Sequence, residues 1–577
     1  MNTLFLLLGM MFVWVSYGGT IVGLGALFLS LVYRKALLSF SCCFWIGLAL
    51  LVTGLQIVNL FYGINLFVVR SICCLGLFSF WLFRTRLDVS FWLGVKAWHK
   101  LAFLLAILWI ADRGLGFPYV YDSGVYHFNS VRWANEQPLP PGLGNLHGRL
   151  AFNQSYFLFV SFVNLLPERS EGHNFANSLL LVFAMITILE KGHLARDRAR
   201  RVVLLLLGPL LFFFLLLFNH TDEPRISSPS AEAAMLSLQF AMFAMALAAC
   251  DRKSREVKER QTVEVIGLLL VSGLAVTFKL SSLLFSAGVS LFAVVIYILN
   301  REPEPRLRII SFPILAVVAL GSTWFIRSVI ASGYLIYPIV ATACPVSWKV
   351  PPDLVKNEAA GILGFAREPD DNWPDVLAGK SWILPWLHRV AKRPDFILPL
   401  CLLGFSGLLF VILSISSPKA AANGLRKSGH FLALCSICIA SLCFWFLTAP
   451  DPRFLGAIFA FLPLCLLGIG LELIEDNLGF SLTVAGAIVL LGFGIYLALT
   501  ANGLGLLLLK RQRTIGSRVP VPQLVQKATD FGLRVWVPIA GDQTGDAPLP
   551  ATPYFRRDLR LRGQDLASGF CIGTRHP

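Results

Sequence analysis

Charge is what this sequence has least of. Only 14% of the 577 residues are charged and 56% are hydrophobic, and a mean hydropathy of +0.70 excludes a soluble globular protein of this length. Acids are scarcer than bases, 33 Asp and Glu against 49 Lys and Arg, for a formal net charge of +16. That excess does not point to nucleic acid as a partner, because many basic residues sit in short clusters between apolar runs, where the positive-inside rule expects them. Several catalytic signatures are missing: there is no Walker loop, HExxH zinc helix, EF-hand or GxSxG elbow. Nor do the cysteines form a framework. Cys42, Cys43, Cys73, Cys74, Cys401, Cys435, Cys438, Cys443 and Cys465 all fall inside apolar stretches, and the CxxC spacing of Cys435 and Cys438 has no second pair, so these read as small packing residues. The N-terminus has no basic segment ahead of its apolar start and runs on into more apolar sequence. An uncleaved first membrane segment is therefore expected rather than a removed signal peptide.

What the sequence does have is long apolar runs. A membrane-spanning helix needs roughly 20 mostly apolar residues, and on that criterion the chain is an all-α integral membrane protein with about 13 to 14 transmembrane helices. They centre on residues 3–33 (a long run with a potential break at Gly18 and Gly19), 36–59, 62–83, 99–112, 174–190, 202–219, 231–250, 263–278, 281–299, 309–328, 396–415, 429–448, 453–473 and 480–509. Runs this continuous exclude the alternating strands of a β-barrel. The basic clusters Arg34/Lys35, Arg84/Arg86, Lys191–Arg201, Asp251–Arg260, Arg301–Arg308 and Lys419–Lys427 fall on one side of this count, which makes that side the cytoplasm. The opposite side holds the connections 112–167 and 219–230, the turn at Lys279, the long loop 332–395 and the turn Ala449–Arg453. Those same connections carry nearly all the unusual polar clusters. The expected organisation is one polytopic domain over 1–509 followed by a polar tail, 510–577, too short for a sizeable core of its own. The tail is extracytoplasmic by the same count, although its basic start at Lys510, Arg511 and Arg513 argues the other way.

Tyr121–Ser155 is the longest early stretch that neither apolarity nor periodicity explains. After Asp122, the residues Val125, Phe128 and Val131 recur at helical spacing, which predicts a short amphipathic helix lying in the membrane interface with Trp133 as its anchor. Asp122 itself has two readings. It is either a helix N-cap or a carboxylate aimed into a cavity, acting as a general base or holding a divalent cation such as Mg or Mn. Pro138, Pro140 and Pro141, with Gly142, Gly144 and Gly148, then turn the backbone sharply. Beside them His147 and Arg149 can present an imidazole and a guanidinium to a phosphate or a sugar hydroxyl; the plain alternative is a solvated loop with Arg149 near lipid headgroups.

Further polar groups stand where a membrane makes them costly. Lys279 interrupts an apolar run, and an intramembrane charge is by default a functional hypothesis, with snorkelling to an interface between two short helices as the alternative. Arg327 ends a helix ahead of the long outer loop and, with Tyr334 and Tyr337, suits either an anionic headgroup or an interfacial anchor. An outer turn places Asp451 and Arg453 between two membrane helices, where either they pair with each other or Arg453 reaches a lipid phosphate while Asp451 orients it. Asp222, Glu223 and Glu232 add carboxylates on the same face.

Many helices, an acid in the first large outer loop followed by an interfacial helix, and basic residues at later outer helix ends resemble the GT-C superfamily of membrane glycosyltransferases. The strings DSGVYH, PGLGNLHGRLAFN, WFIRSVIASGYLIYP, WKVP and APDPRF are also similar to a group of bacterial polytopic membrane proteins, a resemblance that covers most of the chain and implies no particular substrate. The resemblance implies transfer of a sugar from a polyprenyl-phosphate-linked donor to a glycan, lipid or protein acceptor, with inversion, at the periplasmic face of the bacterial inner membrane during cell-envelope glycan synthesis. It implies Asp122 as the loop acid of the catalytic centre; on their own chemistry His147 and Arg149 join it as catalytic candidates, and Lys279, Arg327 and Arg453 are the fixed cations that would stabilise charge on the donor phosphate. Tyr126, His127, Asn153, Asp222, Glu223, Tyr337 and Asp451 would support them. A divalent cation, Mg or Mn, is the one cofactor this leaves open. The acidic pair of some such enzymes is absent here, since Ser123 follows Asp122, which leaves open whether Asp122 works alone, with His127 or His147, or with a metal shared with Asp222 or Asp451. Three alternatives remain: a lipid-linked saccharide flippase or other transporter, whose charges would line a path through the bilayer; an O-antigen ligase or polymerase, which the loop 332–395 would suit; and a scaffold without catalysis.

Overall fold

The computed structural model describes residues 3–33, 37–118, 120–164, 172–218, 225–250, 255–299, 307–369, 371–416, 424–472 and 522–573. Among the described residues eleven helices are long and apolar enough to cross a membrane: Phe5–Val32, Phe40–Val58, Leu66–Arg86, Gly172–Leu194, Arg198–Leu216, Ala231–Ala248, Arg260–Phe278, Leu280–Leu299, Ser311–Ser332, Asp395–Ile412 and Gly429–Thr448. The chain is a multi-pass, all-α membrane protein. Helices satisfy their own backbone hydrogen bonds, which hydrocarbon surroundings demand.

The helices depart from the sequence-derived segments in three places. Thr3–Val32 is one unbroken helix; Gly18 does not break it but admits the Phe183 ring, an atom of which lies 2.8 Å from where a Cβ would stand. The segment at 99–112 forms a helix, Ala97–Gly114, whose Lys100, Asp112 and Arg113 keep it outside the eleven. The segment at 453–473 is divided at Gly456 into a short Pro452–Leu455 turn and the 15-residue helix Ile458–Glu472. The segment at 480–509 lies outside the described residues.

The helix Phe40–Val58 defines two ends of the bundle. Its 19 residues span roughly 28 Å at about 1.5 Å per residue, the thickness of a hydrocarbon core. At the Ser39 end lies a buried ion cluster. Lys191 Nζ stands 2.5 Å from Glu264 and 3.2 Å from Glu190 and donates to Ser39 Oγ at 2.8 Å, and none of these three ionisable side chains is more than 2% exposed. Arg260 lies 3.7 Å from Glu190 and 3.5 Å from Asp88. Lys191 is therefore not part of a solvated basic run at the cytoplasmic face. Carboxylates on its own helix and on the helix Arg255–Phe278 draw it inside, and the cluster ties three helices together.

At the Asn59 end the polar connections meet. Residues 522–573 form two small antiparallel pairs, Leu524–Ala528 with Arg534–Pro538 and Leu559–Leu561 with Phe570–Ile572. Hairpins this short are marginal alone, and these dock on the first loop. The backbone N–H of Phe570 donates to Pro141 O at 2.8 Å, those of Thr544 and Gly545 to Gly124 O at 2.9 and 2.8 Å, and Thr552 Oγ1 to Leu146 O at 3.0 Å. Asn145 joins tail and long loop by donating to the carbonyls of Trp348 and Phe570 at 2.8 and 3.3 Å. This docking covers the helix after Asp122, Phe128–Glu136, so it does not lie against headgroups. Trp133 is buried and packs edge-on against Phe570 at 5.8 Å rather than anchoring in lipid. Asn135, on the polar side, donates to Ile64 O at 2.8 Å.

Gly142 sits at the junction of loop and tail with φ +69°, and a Cβ there would lie 2.3 Å from the Phe570 carbonyl oxygen. Gly142→Ala is expected to cost about 1–3 kcal/mol through left-handed strain and the clash. A lowered melting temperature together with faster protease clipping of the tail checks this; an unchanged tail contradicts the docking.

Candidate functional site

The chain turns widely after Asp122. Ser123–His127 is a π-turn in which the Phe128 N–H donates to Ser123 O, a geometry frequent at functional sites. The Gly124 carbonyl is satisfied from the tail by Thr544 and Gly545. Asp122 stands at the head of this turn and makes no side-chain cap bond. Its Oδ1 instead accepts from Arg149 Nη1 at 2.7 Å, while Arg453 Nη1 lies 4.0 Å from Oδ2. The capping role does not fit. Asp122 is a carboxylate, 25% exposed, between two guanidiniums.

Each guanidinium has further partners. Arg149, on the 3₁₀ turn Gly148–Phe152, faces Glu358 at 3.7 Å and lies 5.7 Å over the Tyr126 ring. Burial opposes its charge, but Asp122, Tyr126 and Glu358 outweigh it, and its pKa is raised. Burial also pushes the Glu358 carboxyl up, with Arg149 working against it. Arg453 lies 3.5 Å from Asp451 and stacks 4.8 Å from Phe365 and 4.9 Å from Phe454. Burial works against that charge as well, and Asp451 and Asp122 restore it. Asp451 accepts the Arg453 N–H at 3.0 Å, fixing the short turn.

Lys279 occupies an extended break between helices and donates to Glu232 at 2.7 Å, 4.8 Å over the Phe454 ring that Arg453 also uses. Lys279, Phe454, Arg453, Asp122, Arg149 and Glu358 thus form one continuous set of contacts. Arg327 stands apart from it. Only 5% exposed, it donates to Asn59 Oδ1 at 3.1 Å, and its Nε has no partner. It lines a cavity of about 40 Å³ with Asn59, Trp133, Arg149, Asn153 and Gln154. Arg149 therefore belongs to both the Asp122 cluster and this cavity.

A family model for a domain of unknown function, DUF8201, matches residues 7–460. The chain belongs to the DUF8201 family. The match takes in every site residue named so far and stops short of the docked tail. No curated protein and no solved structure matches the chain.

Most of the remaining candidates of this DUF8201 chain are buried in packing and hydrogen-bond contacts. His147 is buried, its ring 5.5 Å from that of Tyr554, and burial, assisted by the Arg149 charge, pulls its pKa down to about 3. An imidazole that weakly basic does not serve as a general base near neutral pH. His127 packs 4.4 Å from Tyr126 and 5.3 Å from Phe157, and burial takes it down to about 4, against the pull of Asp122. Tyr126 is buried under Arg149. Asn153 and Trp324 exchange hydrogen bonds at 2.8 and 2.9 Å. Tyr337 belongs to a small separate core with Tyr334, Val350 and Val355. Asp222 and Glu223 lie outside the described residues. The sequence reading missed Glu358, whose amphipathic helix Pro352–Arg367 was the available signal, and Tyr554, for which there was none.

Both histidines are more acidic folded than unfolded, so their contribution to stability is whole above about pH 6.5 and is lost as pH falls toward their folded values. Thermal unfolding is expected to weaken below pH 6.5 by about 1.4 kcal/mol per pH unit for each imidazole. His147→Phe should flatten that slope, and an unaltered slope contradicts a buried neutral His147.

Among the described residues, the Asp122 surroundings do not fit a divalent cation. Two guanidiniums occupy the carboxylate's flanks, and among the described residues no group of three or more His, Cys, Asp or Glu could hold a metal ion.

Proposed function

We propose that this protein is a membrane glycosyltransferase that moves a sugar from a polyprenyl-phosphate-linked donor to a hydroxyl of a glycan, lipid or protein acceptor. The reaction takes place at the extracytoplasmic face of the bacterial inner membrane. The observation that supports this best is Asp122: a partly exposed carboxylate free of capping duty, held by Arg149 at one end of a helical bundle. In this reading Asp122 takes the acceptor proton as the acceptor oxygen attacks the anomeric carbon. The sugar–phosphate bond breaks with its electron pair on the phosphate, inverting the anomeric centre. Arg149 and Glu358 orient Asp122, and the cationic surroundings favour the charge that develops on the leaving group. Lys279 and Arg453 already face Glu232 and Asp451, so their part is to shape the site rather than to bind the phosphate alone.

Cells lacking the chain test this reading. A surface glycan should lose a sugar while the lipid-linked form of that sugar accumulates on the outer leaflet; an unchanged glycan and lipid pool would sink it. A lipid-linked saccharide transporter is the second reading, favoured by the buried Glu190–Lys191–Glu264 cluster, which puts internal charge at both ends of the bundle. It predicts accumulation on the inner leaflet instead.

A further inference from the structure

We infer that the cavity between Arg327 and Arg149 is a binding site for a phosphate group. Its lining has donors without acceptors. Arg327 Nε and Trp133 Nε1 are both buried and unpartnered, and both side chains line this one cavity. Asn59 Oδ1, an acceptor in the same lining, is already taken by Arg327 at 3.1 Å, and the Asn59 amide is committed to the backbone carbonyls of Tyr62, Ala134 and Gln137. Among the described residues no carboxylate pairs with Arg327, unlike Lys279, Arg453 and Arg149. A buried cation without a counter-charge is costly, and a ligand rich in acceptor oxygens and negative charge removes that cost. An oxyanion has that chemistry.

Size allows it. A cavity of about 40 Å³ is well above the roughly 10–15 Å³ that a single water needs, so it is not too small for an oxyanion. Position narrows the choice. Asn59 directly follows the membrane helix Phe40–Val58, so the cavity lies at the depth where a lipid's phosphate sits. Arg149 joins it to Asp122, so a phosphate held there stands one guanidinium away from the carboxylate. The identity of the phosphate's carrier rests on the glycosyltransferase reading; the anion site does not.

The test uses the full-length protein in a maltoside detergent, with polyprenyl monophosphate, polyprenyl diphosphate, phosphatidylglycerol or inorganic phosphate added and the melting temperature read. Polyprenyl monophosphate is expected to raise it. Arg327→Met, which removes the uncompensated cation and keeps the apolar length, should still fold and need roughly 10- to 100-fold more ligand for the same shift. Trp133→Phe should weaken binding less. An equal shift from phosphatidylglycerol assigns the site to bulk lipid headgroups, and one from inorganic phosphate assigns it to a free anion. No shift with any of the four, or variants that respond like wild type, overturns the site. Asp122→Asn keeps the shift and loses transfer, so binding without turnover in the wild type counts against the glycosyltransferase reading alone.

Discussion

Asp122→Asn is expected to slow transfer by roughly 10²–10⁴-fold, the usual worth of a positioned general base, while leaving the melting temperature almost unchanged. The amide keeps the shape of the side chain and an oxygen for Arg149, whose Nη1 donates to Oδ1 at 2.7 Å. No cap bond is lost, because Asp122 makes none. The ion pair given up is partly exposed, 33% and 25% on its two sides, so solvent screening leaves it worth little to stability. What disappears is the ability to accept a proton. Transfer rate and thermal unfolding of purified protein, measured side by side, check this, and full activity in the variant contradicts the assigned role.

Lys191→Met is expected to cost about 3–5 kcal/mol of stability, because it leaves Glu190 and Glu264 buried without their cation. Both carboxylates contact Lys191 Nζ, at 3.2 and 2.5 Å, and both are buried. Arg260 remains 3.7 Å from Glu190 but is 35% exposed and has Asp88 as a second partner, so it replaces little of the loss. Combining Lys191→Met with Glu264→Gln and Glu190→Gln should restore much of it, since the penalty lies in unpaired charge and not in the absence of the ion pair. Denaturant unfolding in detergent measures each variant. Equal stability of Lys191→Met and wild type contradicts a dry cluster.

The membrane helices were legible because apolar length alone specifies them, as in Phe40–Val58 and Gly429–Thr448. The break at Lys279 was visible for the same reason, as one charge in a long apolar run. Its partner was not: Glu232 lies 47 residues away, and a charge pattern gives the side of the membrane without giving the pairing. The same limit explains Lys191, which counts as cytoplasmic in a tally of basic residues yet is drawn inside by carboxylates on two helices. Asp122 stood out as an acid with an ambiguous role, and the π-turn at Ser123–His127 that removes its capping duty has no sequence signature. The helix Phe128–Glu136 carries an amphipathic pattern that suits a headgroup surface, and its polar face meets the tail and helix ends instead. Hydropathy cannot distinguish those two polar surroundings. Tyr554, packed on His147, comes from a tail whose composition showed only that it is polar and too short for a sizeable core of its own.

The most direct test of the account gives purified full-length protein a polyprenyl-phosphate-linked sugar, labelled in the sugar, together with a cell-envelope acceptor fraction, and follows release of polyprenyl phosphate and the fate of the label. Wild type is expected to release polyprenyl phosphate and move the label to the acceptor with inverted anomeric configuration, and Asp122→Asn to do neither at a comparable rate. Equal release by both proteins, or none by wild type across donors of different sugars, would contradict it.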